Sequence, residues 1–363
     1  MRVLVANPGS SSLKLSLLDG DTVVADTRTA ADAAASDAVA AVLARSGGAD
    51  AAGVRVVHGG ERYTRSVVVD DGVVHDLDAL RDLAPLHNPP ALALLRAIRE
   101  QQPALPLVAC FDTAFHATLP PEAFSYAVPR QWRREWGLRR YGFHGLSHAY
   151  ASRRAAALLE VPLPSLRLVS CHLGAGASLA AIRGGVSVDT TMGYTPLDGL
   201  VMATRSGSID PGVLLAAMRR HRLSTADLET VLDRESGLLG LCGRSDMREV
   251  LSAAQQDDGE AGAALAVYVH RLRAAIAAMA AAMEGLEALV FTGGIGEHAP
   301  EVRAAATEGL AFLGVEVDSD RNAAVTSDGE VTATGASVRT LVITAREDLE
   351  IAREVRQLLR VDA

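Results

Sequence analysis

The feature that most constrains this chain is a local pattern that occurs twice. Each copy has three short runs of alternating apolar residues, which predict strands. The runs are residues 3–6, 13–18 and 22–25 in the first copy, and 168–170, 178–182 and 186–190 in the second. Turns with Gly9 and Gly20 separate the first three runs, and turns with Gly174 and Gly185 separate the second three, at the same spacing of eleven positions. The repetition predicts a duplicated domain, with two glycine-rich turns facing each other across a cleft.

Predicted helices and strands alternate along the rest of the chain. The further predicted strands are residues 54–57, 66–69, 107–110, 289–291 and 341–343. The predicted helices are residues 31–45, 90–101, 211–220, 261–284, 299–313 and 347–359. Asp210 and Pro211 form a typical N-cap and first position for the third of these helices. The alternation indicates the α/β class, and a length of 363 residues is typical of two domains.

The chain contains a single lysine, Lys14, among 35 basic residues. A Walker A loop needs Gly-Lys-[Ser/Thr], but Leu13 precedes Lys14. The Val-Ala-Ile-Lys, His-Arg-Asp and Asp-Phe-Gly motifs of protein kinases are absent. A Schiff-base lysine in a mid-chain pocket is excluded as well.

Charge and composition restrict the binding partners and the cellular location that the sequence predicts. The net charge of −9 and an aromatic content of 4% disfavour nucleic acid as a partner. The longest apolar stretch, residues 274–283, is about half of a membrane span. The four apolar residues after Arg2 are too short a run for the core of a signal peptide. Three widely separated cysteines do not suggest a disulfide framework. We expect a cytoplasmic protein without a membrane segment.

Three glycine-rich segments could bind phosphate groups. Residues 7–14 combine small residues, hydroxyls and Lys14 in a tight turn, which is typical of an anion-binding nest. Residues 172–176 and 292–297 are further glycine-rich segments at strand ends. Any one of them alone is more often a plain turn, and none fits the Rossmann fingerprint. Together they favour a nucleotide.

A few charged residues are candidates for phosphoryl chemistry. Arg55 and Arg205 could supply the two guanidinium forks that carboxylate and phosphate recognition uses, although most arginines are solvated surface groups. Asp112 follows a predicted buried strand, a common position for a magnesium ligand. Glu347 begins the last helix, where a carboxylate often serves only the helix dipole. His144 and His148 lack the glutamate of a zinc motif, so metal ligation by them is disfavoured.

Together these segments resemble the acetate kinase family, within the acetate and sugar kinase, Hsp70 and actin superfamily. The run from Val188 to Leu200 is particularly specific. The matching segments are residues 7–14, 55–61, 85–90, 111–116, 141–148, 172–178, 187–211, 236–248, 291–297 and 344–354. The resemblance implies two duplicated actin-like (ribonuclease H-like) domains, each a mixed sheet flanked by helices, with a nucleotide cleft between them. It places domain I at residues 1–114 plus 349–363 and domain II at 115–348.

The resemblance also implies roles for individual residues. The implied catalytic residues are Asp112, His144 and Arg205. Arg55 is implied to hold the substrate carboxylate, and the implied acyl pocket consists of Val57, Leu86, Phe143 and Pro196. The implied ATP-binding residues are Ser10, Ser12, Lys14, His172, Leu173, Gly174, Ala175, Gly176, Asp246, Met247, Arg248, Gly293, Gly294, Ile295, Gly296 and Glu297. Asn7 and Glu347 are implied to lie near magnesium.

The sequence departs from the family pattern at several positions. The family usually has Ala or Cys at Pro8, His at Val54 and Asn at His298. The most consequential departure is Ala175, where the family has an asparagine that reaches toward the phosphates. Loss of one such donor can lower kcat by about 10²–10³. Three outcomes are open: Pro8 or His298 rearranges to compensate for the missing donor, a water molecule replaces it, or the enzyme is slower.

The implied activity is reversible, ATP- and magnesium-dependent phosphorylation of acetate to acetyl phosphate by a homodimer. A carboxylate acceptor is already ionised at pH 7, so no general base is needed. Asp112 is therefore expected to organise metal or water first, with acid/base work as the alternative. A propionate or butyrate kinase of the same family remains open, because one methylene is worth only about 1–3 kcal/mol. An Hsp70- or actin-like ATPase is the alternative from another class, and the acyl-pocket residues disfavour it.

Overall fold

The computed structural model describes residues 1–9, 12–30, 37, 39–42, 48–84 and 87–359. Two compact units can be distinguished. Unit 1 comprises Met1–Ala117, Phe143–Tyr150 and Arg346–Ala363, and unit 2 comprises Thr118–Gly142 and Ala151–Ala345. The domain limits given in the sequence analysis stay a prediction.

The sheet of unit 1 has six strands in the order β3-β2-β1-β4-β6-β5. They are β1 (Arg2–Pro8), β2 (Ser12–Asp19), β3 (Thr22–Ala30), β4 (Ala51–Val56), β5 (Val67–Val68) and β6 (Leu107–Phe111). The first three strands form the antiparallel meander predicted from their alternation. Strands β1, β4 and β6 run parallel, and β5 is an antiparallel edge.

The sheet of unit 2 has the same topology, with the order β11-β12-β10-β7-β8-β9. Its strands are β7 (Arg167–Leu173), β8 (Ala177–Arg183), β9 (Val186–Thr190), β10 (Ala288–Thr292), β11 (Gly329–Glu330) and β12 (Arg339–Val342). Strands β7, β8 and β9 form the second antiparallel meander. Strands β7, β10 and β12 run parallel, and β11 is the antiparallel edge. The α/β class and the duplication are thus confirmed.

Fourteen labelled α-helices surround these sheets in the part of the chain that the structure describes. They are α1 (Asp71–Ala79), α2 (Asn88–Gln101), α3 (Pro121–Phe124), α4 (Arg130–Glu135), α5 (Gly145–Leu158), α6 (Pro211–His221), α7 (Thr225–Arg234), α8 (Gly237–Cys242), α9 (Met247–Gln255), α10 (Gly259–Ala282), α11 (Gly293–His298), α12 (Pro300–Thr307), α13 (Ser319–Ala324) and α14 (Glu347–Leu359). Short 3₁₀ turns are Arg81–Leu83, Ala114–His116, Leu163–Ser165 and Ala311–Leu313.

Each face of the unit 1 sheet packs against helices. Helices α1 and α2 cover one face through buried aliphatic residues such as Leu77 and Leu95. Helix α14 covers the other face through Ile351 and Val355. The approach is close because a Cβ on Gly53 of β4 would lie only 2.6 Å from Ile351 Cγ2. This packing fixes α14 against β1 and β4 and brings its first residue to the end of the sheet.

Helix α10 is the longest helix and packs against β7 and β8 of unit 2. Its buried side chains include Tyr268, Leu272 and Ile276. By length and composition alone it could cross a membrane. Its packing against the sheet identifies it as a core helix of unit 2.

Most predicted elements agree with the structure, including the cap of α6, where the Asp210 side chain accepts a hydrogen bond from Gly212 N at 2.8 Å. The predicted helix 299–313 is too long. It ends at Thr307, and Gly309 follows against the Arg273 side chain. The glycine-rich segment after β10 forms a helix, α11, rather than a plain turn. The predicted helix 31–45 falls largely outside the described residues.

Candidate active site

Three polar side chains of unit 1 lie at the carboxyl ends of neighbouring parallel strands. Asn7 is near the end of β1, Arg55 near the end of β4, and Asp112 directly follows β6. Parallel registration places these strand ends at one edge of the sheet. In open α/β sheets this edge is where ligands bind.

The three side chains form a hydrogen-bonded network with Glu347, the first residue of α14. Arg55 donates to Asp112 Oδ2 from Nε at 3.0 Å and from Nη2 at 2.5 Å. Its Nη1 donates to Asn7 Oδ1 at 3.2 Å, and Asn7 Nδ2 donates to Glu347 Oε2 at 2.6 Å. Arg55 Nε lies 4.0 Å from the same Glu347 oxygen. The network around one guanidinium therefore joins two carboxylates and an amide, and with Arg55 itself it connects four segments of the chain.

Burial and mutual attraction shift the pKa values of Asp112 and Arg55 in this network. The Asp112 side chain is 1% exposed and that of Arg55 13%. Burial raises the pKa of Asp112, while the charge and hydrogen bonds of Arg55 act in the opposite direction. Burial alone would lower the pKa of Arg55, but Asp112 and Glu347 outweigh it and raise the pKa. Arg55 therefore carries a permanent positive charge at the strand ends.

Asp112 Oδ1 is buried and has no hydrogen-bond partner among the described residues. A buried carboxylate oxygen without a partner is costly and is commonly explained by a missing water or ion. No cluster of three His, Cys, Asp or Glu side chains suited to a metal occurs in the described part of the chain. Magnesium needs no such cluster, because it takes one or two carboxylates and completes its shell with water and phosphate oxygens. The donor set of Asp112 and Glu347 fits that requirement.

The first residue of α5, Gly145, packs directly onto Asp112. A Cβ on Gly145 would lie 2.0 Å from the Asp112 carbonyl oxygen, so only glycine permits this approach. His144 adopts the left-handed backbone conformation with φ of 56°. Such a conformation costs a non-glycine residue on the order of 1–3 kcal/mol and is often found at functional sites. The backbone of His144 is thus held in a strained conformation one residue before the contact with Asp112.

Phe143 is buried between two histidines of unit 1. The ring of His58 meets the Phe143 ring edge-on at 5.5 Å, and His116 Nε2 is 3.0 Å from the Phe143 carbonyl oxygen. Asn88 fixes the backbone of His58 by bonding to its N–H at 3.2 Å and its carbonyl at 3.1 Å. Gly60 N donates to His58 Nδ1, and burial lowers the pKa of His58 to about 4. His58 is therefore neutral at physiological pH, with its proton on Nε2.

A cavity of about 500 Å³ lies in unit 2 beside the carboxyl ends of β7 and β10. Its lining residues are Gly174, Ala175, Ala203, Ser245, Asp246, Met247, Arg248, Leu251, Gly294, Ile295, His298 and Ala299. They come from the predicted glycine-rich turn, the start of α9 and helix α11. The volume is in the range of ordinary small-ligand pockets.

Two helix starts build this cavity. The Asp246 side chain caps α9 by accepting from Arg248 N, and the hydrogen bonds of Arg248 hold the pKa of Asp246 at about 2. Gly293 begins α11 with φ of 78°, and a Cβ there would lie 2.8 Å from the Leu173 carbonyl oxygen. The glycine lets α11 pack directly against the end of β7. Ala175 and His298, both departures from the family pattern, line this same cavity.

Arg205 lies in a loop of unit 2 and is half-buried. Its Nε donates to Asp233 Oδ1 at 2.9 Å. Asp233 is one of 44 acidic residues and carried no motif that could single it out from the sequence. His58 and Asn88 were missed for the same reason, since the hydrogen bonds that join them to each other span 30 positions of the chain.

The remaining predicted site residues occupy different surroundings. Lys14 is exposed on β2, opposite Asn7 in the register. Ser12 accepts a hydrogen bond from Arg28 Nε at 3.2 Å. Val57 is buried in unit 1, and Pro196 is half-buried in unit 2. Ser10 and Leu86 lie outside the described residues.

The other predicted nucleotide-site residues outside the cavity lining belong to unit 2, whereas Ser12 and Lys14 belong to unit 1. His172 and Leu173 form the end of β7, and Gly176 precedes β8. Gly296 is buried in α11. Glu297 accepts a hydrogen bond from Ala345 N at 3.0 Å.

Comparison with known proteins identifies close relatives. The model of the acetokinase family matches residues 21–353. An acetate kinase of Synechococcus sp. (strain JA-2-3B'a(2-13)) is 50% identical over 309 residues, which cover 85% of this chain and 76% of that protein.

Solved structures agree with this relationship. The crystal structure of Porphyromonas gingivalis acetate kinase superposes with a TM-score of 0.91 at 34% identity and 99% coverage of both chains. A propionate kinase from Francisella tularensis gives a TM-score of 0.90 at 35% identity, covering 97% of this chain and 98% of that one. A ROK hexokinase from Thermus thermophilus, at 13% identity and a TM-score of 0.50, shares the fold alone.

His58 predicts a pH dependence of stability. Because its pKa is about 4 in the folded chain and near 6.5 in the unfolded chain, the unfolded state alone binds this proton between those values. Stability therefore falls as the pH falls from 6.5 toward 4, by up to about 3 kcal/mol from this group. Urea unfolding across this range should show a shallower slope in His58→Gln than in the wild type.

The matched control is His75→Gln, which removes an exposed histidine from α1 of the same unit. It should keep the wild-type slope. Equal slopes in the wild type and in His58→Gln would contradict the burial argument.

Proposed function

Because the chain belongs to the acetokinase family, we propose that it transfers the γ-phosphoryl group of ATP to acetate, giving acetyl phosphate and ADP. The observation that carries this proposal in the structure is the Arg55 network at the strand ends of unit 1. It keeps a buried positive charge beside carboxylate oxygens, as expected where a small anion and a phosphoryl group must meet. The family relationship supports the same reaction.

The nucleophile requires little preparation. A carboxylic acid has a pKa of roughly 4, so acetate is ionised at pH 7 and attacks the γ-phosphorus through an oxygen lone pair. The bond between the γ-phosphorus and the β–γ bridging oxygen breaks, and its electrons leave on ADP. No proton has to be removed in this direction.

Charge neutralisation is the main task, because two anions must approach. We assign Arg55 to the carboxylate and Arg205, His144 and Lys14 to the phosphoryl charge. The strained backbone of His144 fits a residue that must be held in one orientation. Each of these side chains is cationic or donates hydrogen bonds. Such preorganised groups stabilise the developing charge without reorienting during the transfer.

We assign the magnesium ion to the side of the network formed by Asp112 and Glu347. The buried Oδ1 of Asp112 supports this assignment. Asn7 orients Glu347 through its amide nitrogen. When bound, magnesium neutralises the charge on the β- and γ-phosphates. Asp112 then acts as an organiser of metal or water rather than as a general base.

We assign ATP to the cavity of unit 2. Its glycine-rich turn and the start of α11 present backbone to the cavity, and Gly294, which has no side chain, allows a ligand to approach closely. At Ala175 the side chain has no polar atom to offer the phosphates. His298 lines the same cavity, which supports it as the residue that compensates for the missing donor; Pro8, water or a slower enzyme are the alternatives.

The choice of acid is the finer part of the proposal. Val57 and Phe143 are buried in unit 1 and would surround a short alkyl group. Acetate is our first choice, and propionate or butyrate is the alternative. The structural similarity to a propionate kinase supports propionate as the alternative.

Hydroxylamine trapping tests the activity and the acid together. With ATP and magnesium, the chain should form acetyl hydroxamate from acetate at a higher kcat/KM than the propionyl or butyryl product. A higher value with propionate or butyrate would reassign the acid. ATP hydrolysis without any acyl hydroxamate would overturn the proposal in favour of an actin-like ATPase.

Asp112→Asn tests the role given to the buried carboxylate. The change keeps the shape but removes the charge that organises metal and pairs with Arg55. We expect kcat to fall by at least about 10²-fold at saturating magnesium, by analogy with the loss of one preorganised polar group. Near-normal kcat would leave Asp112 a structural residue. Asp328→Asn, a partly buried aspartate of unit 2, is the control and should keep kcat.

We further propose a cytoplasmic homodimer. Residues 213–218 of α6 are apolar on all faces of the helix, yet no residue of α6 is buried in the single chain. Val213 and Leu215 are 51% and 56% exposed. A helix that is apolar all round is normally buried. A second copy of the chain would cover this surface.

Sedimentation velocity tests the dimer. The wild type should sediment as a species of twice the 38.0 kDa chain mass. The double variant Val213→Asp/Leu215→Asp should sediment as a monomer with an unchanged circular dichroism spectrum. A monomeric wild type, or a dimeric variant, would contradict the assignment to α6.

A further inference from the structure

We infer that Asp233 is a positioning residue for the reaction, acting through Arg205. Asp233 is the second-to-last residue of α7, and its Oδ1 accepts from Arg205 Nε at 2.9 Å. The inference rests on the proposed function, in which Arg205 neutralises charge on the phosphoryl group.

The end of α7 holds the whole loop that carries Arg205. The Thr204 hydroxyl donates to the Asp233 carbonyl at 2.8 Å, and Ser206 N donates to the Leu232 carbonyl at 3.1 Å. Carbonyls in the last turn of a helix lack partners within that helix, so they are available for such bonds. The residues on both sides of Arg205 are therefore fixed to the same helix end as its side chain.

The other side of the loop rests on the start of α8. Gly237 has φ of 62°, and a Cβ there would lie 2.2 Å from the Met202 carbonyl and 2.7 Å from the Arg205 carbonyl. The backbone of Arg205 is thus enclosed between α7 and α8. What remains to be fixed is the long side chain, and Asp233 fixes it.

The side on which Asp233 binds decides which edge of the guanidinium is presented. Asp233 takes Nε, and within the described residues Nη1 has only a weak contact, at 3.9 Å from Met202 Sδ. The Nη1 and Nη2 edge is the one left to donate to a phosphoryl group. Arginine carries high rotamer entropy, so a side chain already oriented loses less on meeting the substrate.

The charges around Asp233 are compatible with this role. The side chains of Arg205 and Asp233 are 17% and 19% exposed, so their pairing is only partly screened. A second cation, Arg234, has its Nε 4.0 Å from Asp233 Oδ2, whereas Arg205 binds Oδ1. Helix α7 has no buried residue, so it contributes little to the core. Its hydrogen bonds to the loop that carries Arg205 are therefore its main structural contribution.

Two substitutions separate orientation from charge. Asp233→Ala removes the acceptor, and we expect kcat for hydroxamate formation to fall about 10- to 100-fold, with KM for ATP changed less than about threefold. Asp233→Asn keeps an acceptor oxygen at the Oδ1 position and should retain kcat within about threefold. Glu229→Gln removes an exposed carboxylate from the same helix and should behave as the wild type.

A double-mutant cycle distinguishes positioning from general support of the fold. In the Arg205→Ala background, Asp233→Ala should change kcat by less than about twofold, because the residue it orients is gone. A further 10- to 100-fold fall there would overturn the inference. Unchanged kcat in Asp233→Ala alone, or an equal fall in Asp233→Asn, would also overturn it.

The hydroxamate assay distinguishes failure of the proposed function from failure of the positioning role of Asp233. Absence of hydroxamate from the wild type overturns the proposed function and the role of Asp233 with it. Wild-type activity that Asp233→Ala leaves unchanged overturns the positioning role alone.

Discussion

The buried ion pair between Arg55 and Asp112 is the interaction on which unit 1 is organised. A charged pair in this position is expensive to desolvate, and removing one partner of such a pair typically costs about 3–5 kcal/mol. Asn7 and Glu347 supply the additional hydrogen bonds that make it tolerable. The pair therefore requires β1, β4, β6 and α14 to be in place together. The hydrogen bond between Asn7 and Glu347 links α14 to β1.

Duplication of one sheet topology produced two different kinds of site. In both units the carboxyl ends of parallel strands meet at one edge of the sheet. Unit 1 places charged side chains there, whereas unit 2 places glycine-rich backbone and a cavity. A shared fold does not dictate a shared chemistry. The side chains at the strand ends determine what each unit can bind.

Local patterns in the sequence predicted the strands of both meanders and the capped start of α6, because alternation and capping are properties of neighbouring residues. The strand-exit position of Asp112 was readable for the same reason. The Asn7–Glu347 hydrogen bond spans 340 positions of the chain, and the Asp233–Arg205 pair joins a loop to a helix end. No local pattern encodes such contacts. Helix α11 was missed because its glycines are poor helix formers, and packing of Gly293 against β7 overrides that preference.

The central claim is that a carboxylate oxygen of the acid, rather than an oxygen of phosphate, forms the bridge to phosphorus in acetyl phosphate. ³¹P NMR of the acetyl phosphate formed from ¹⁸O-labelled acetate, ATP and magnesium tests this claim. We predict an isotope-shifted phosphorus signal, since the labelled oxygen becomes the bridge between carbon and phosphorus. Acetyl phosphate without label at the phosphorus, or labelled acetate left unphosphorylated while ATP is consumed, would contradict the account.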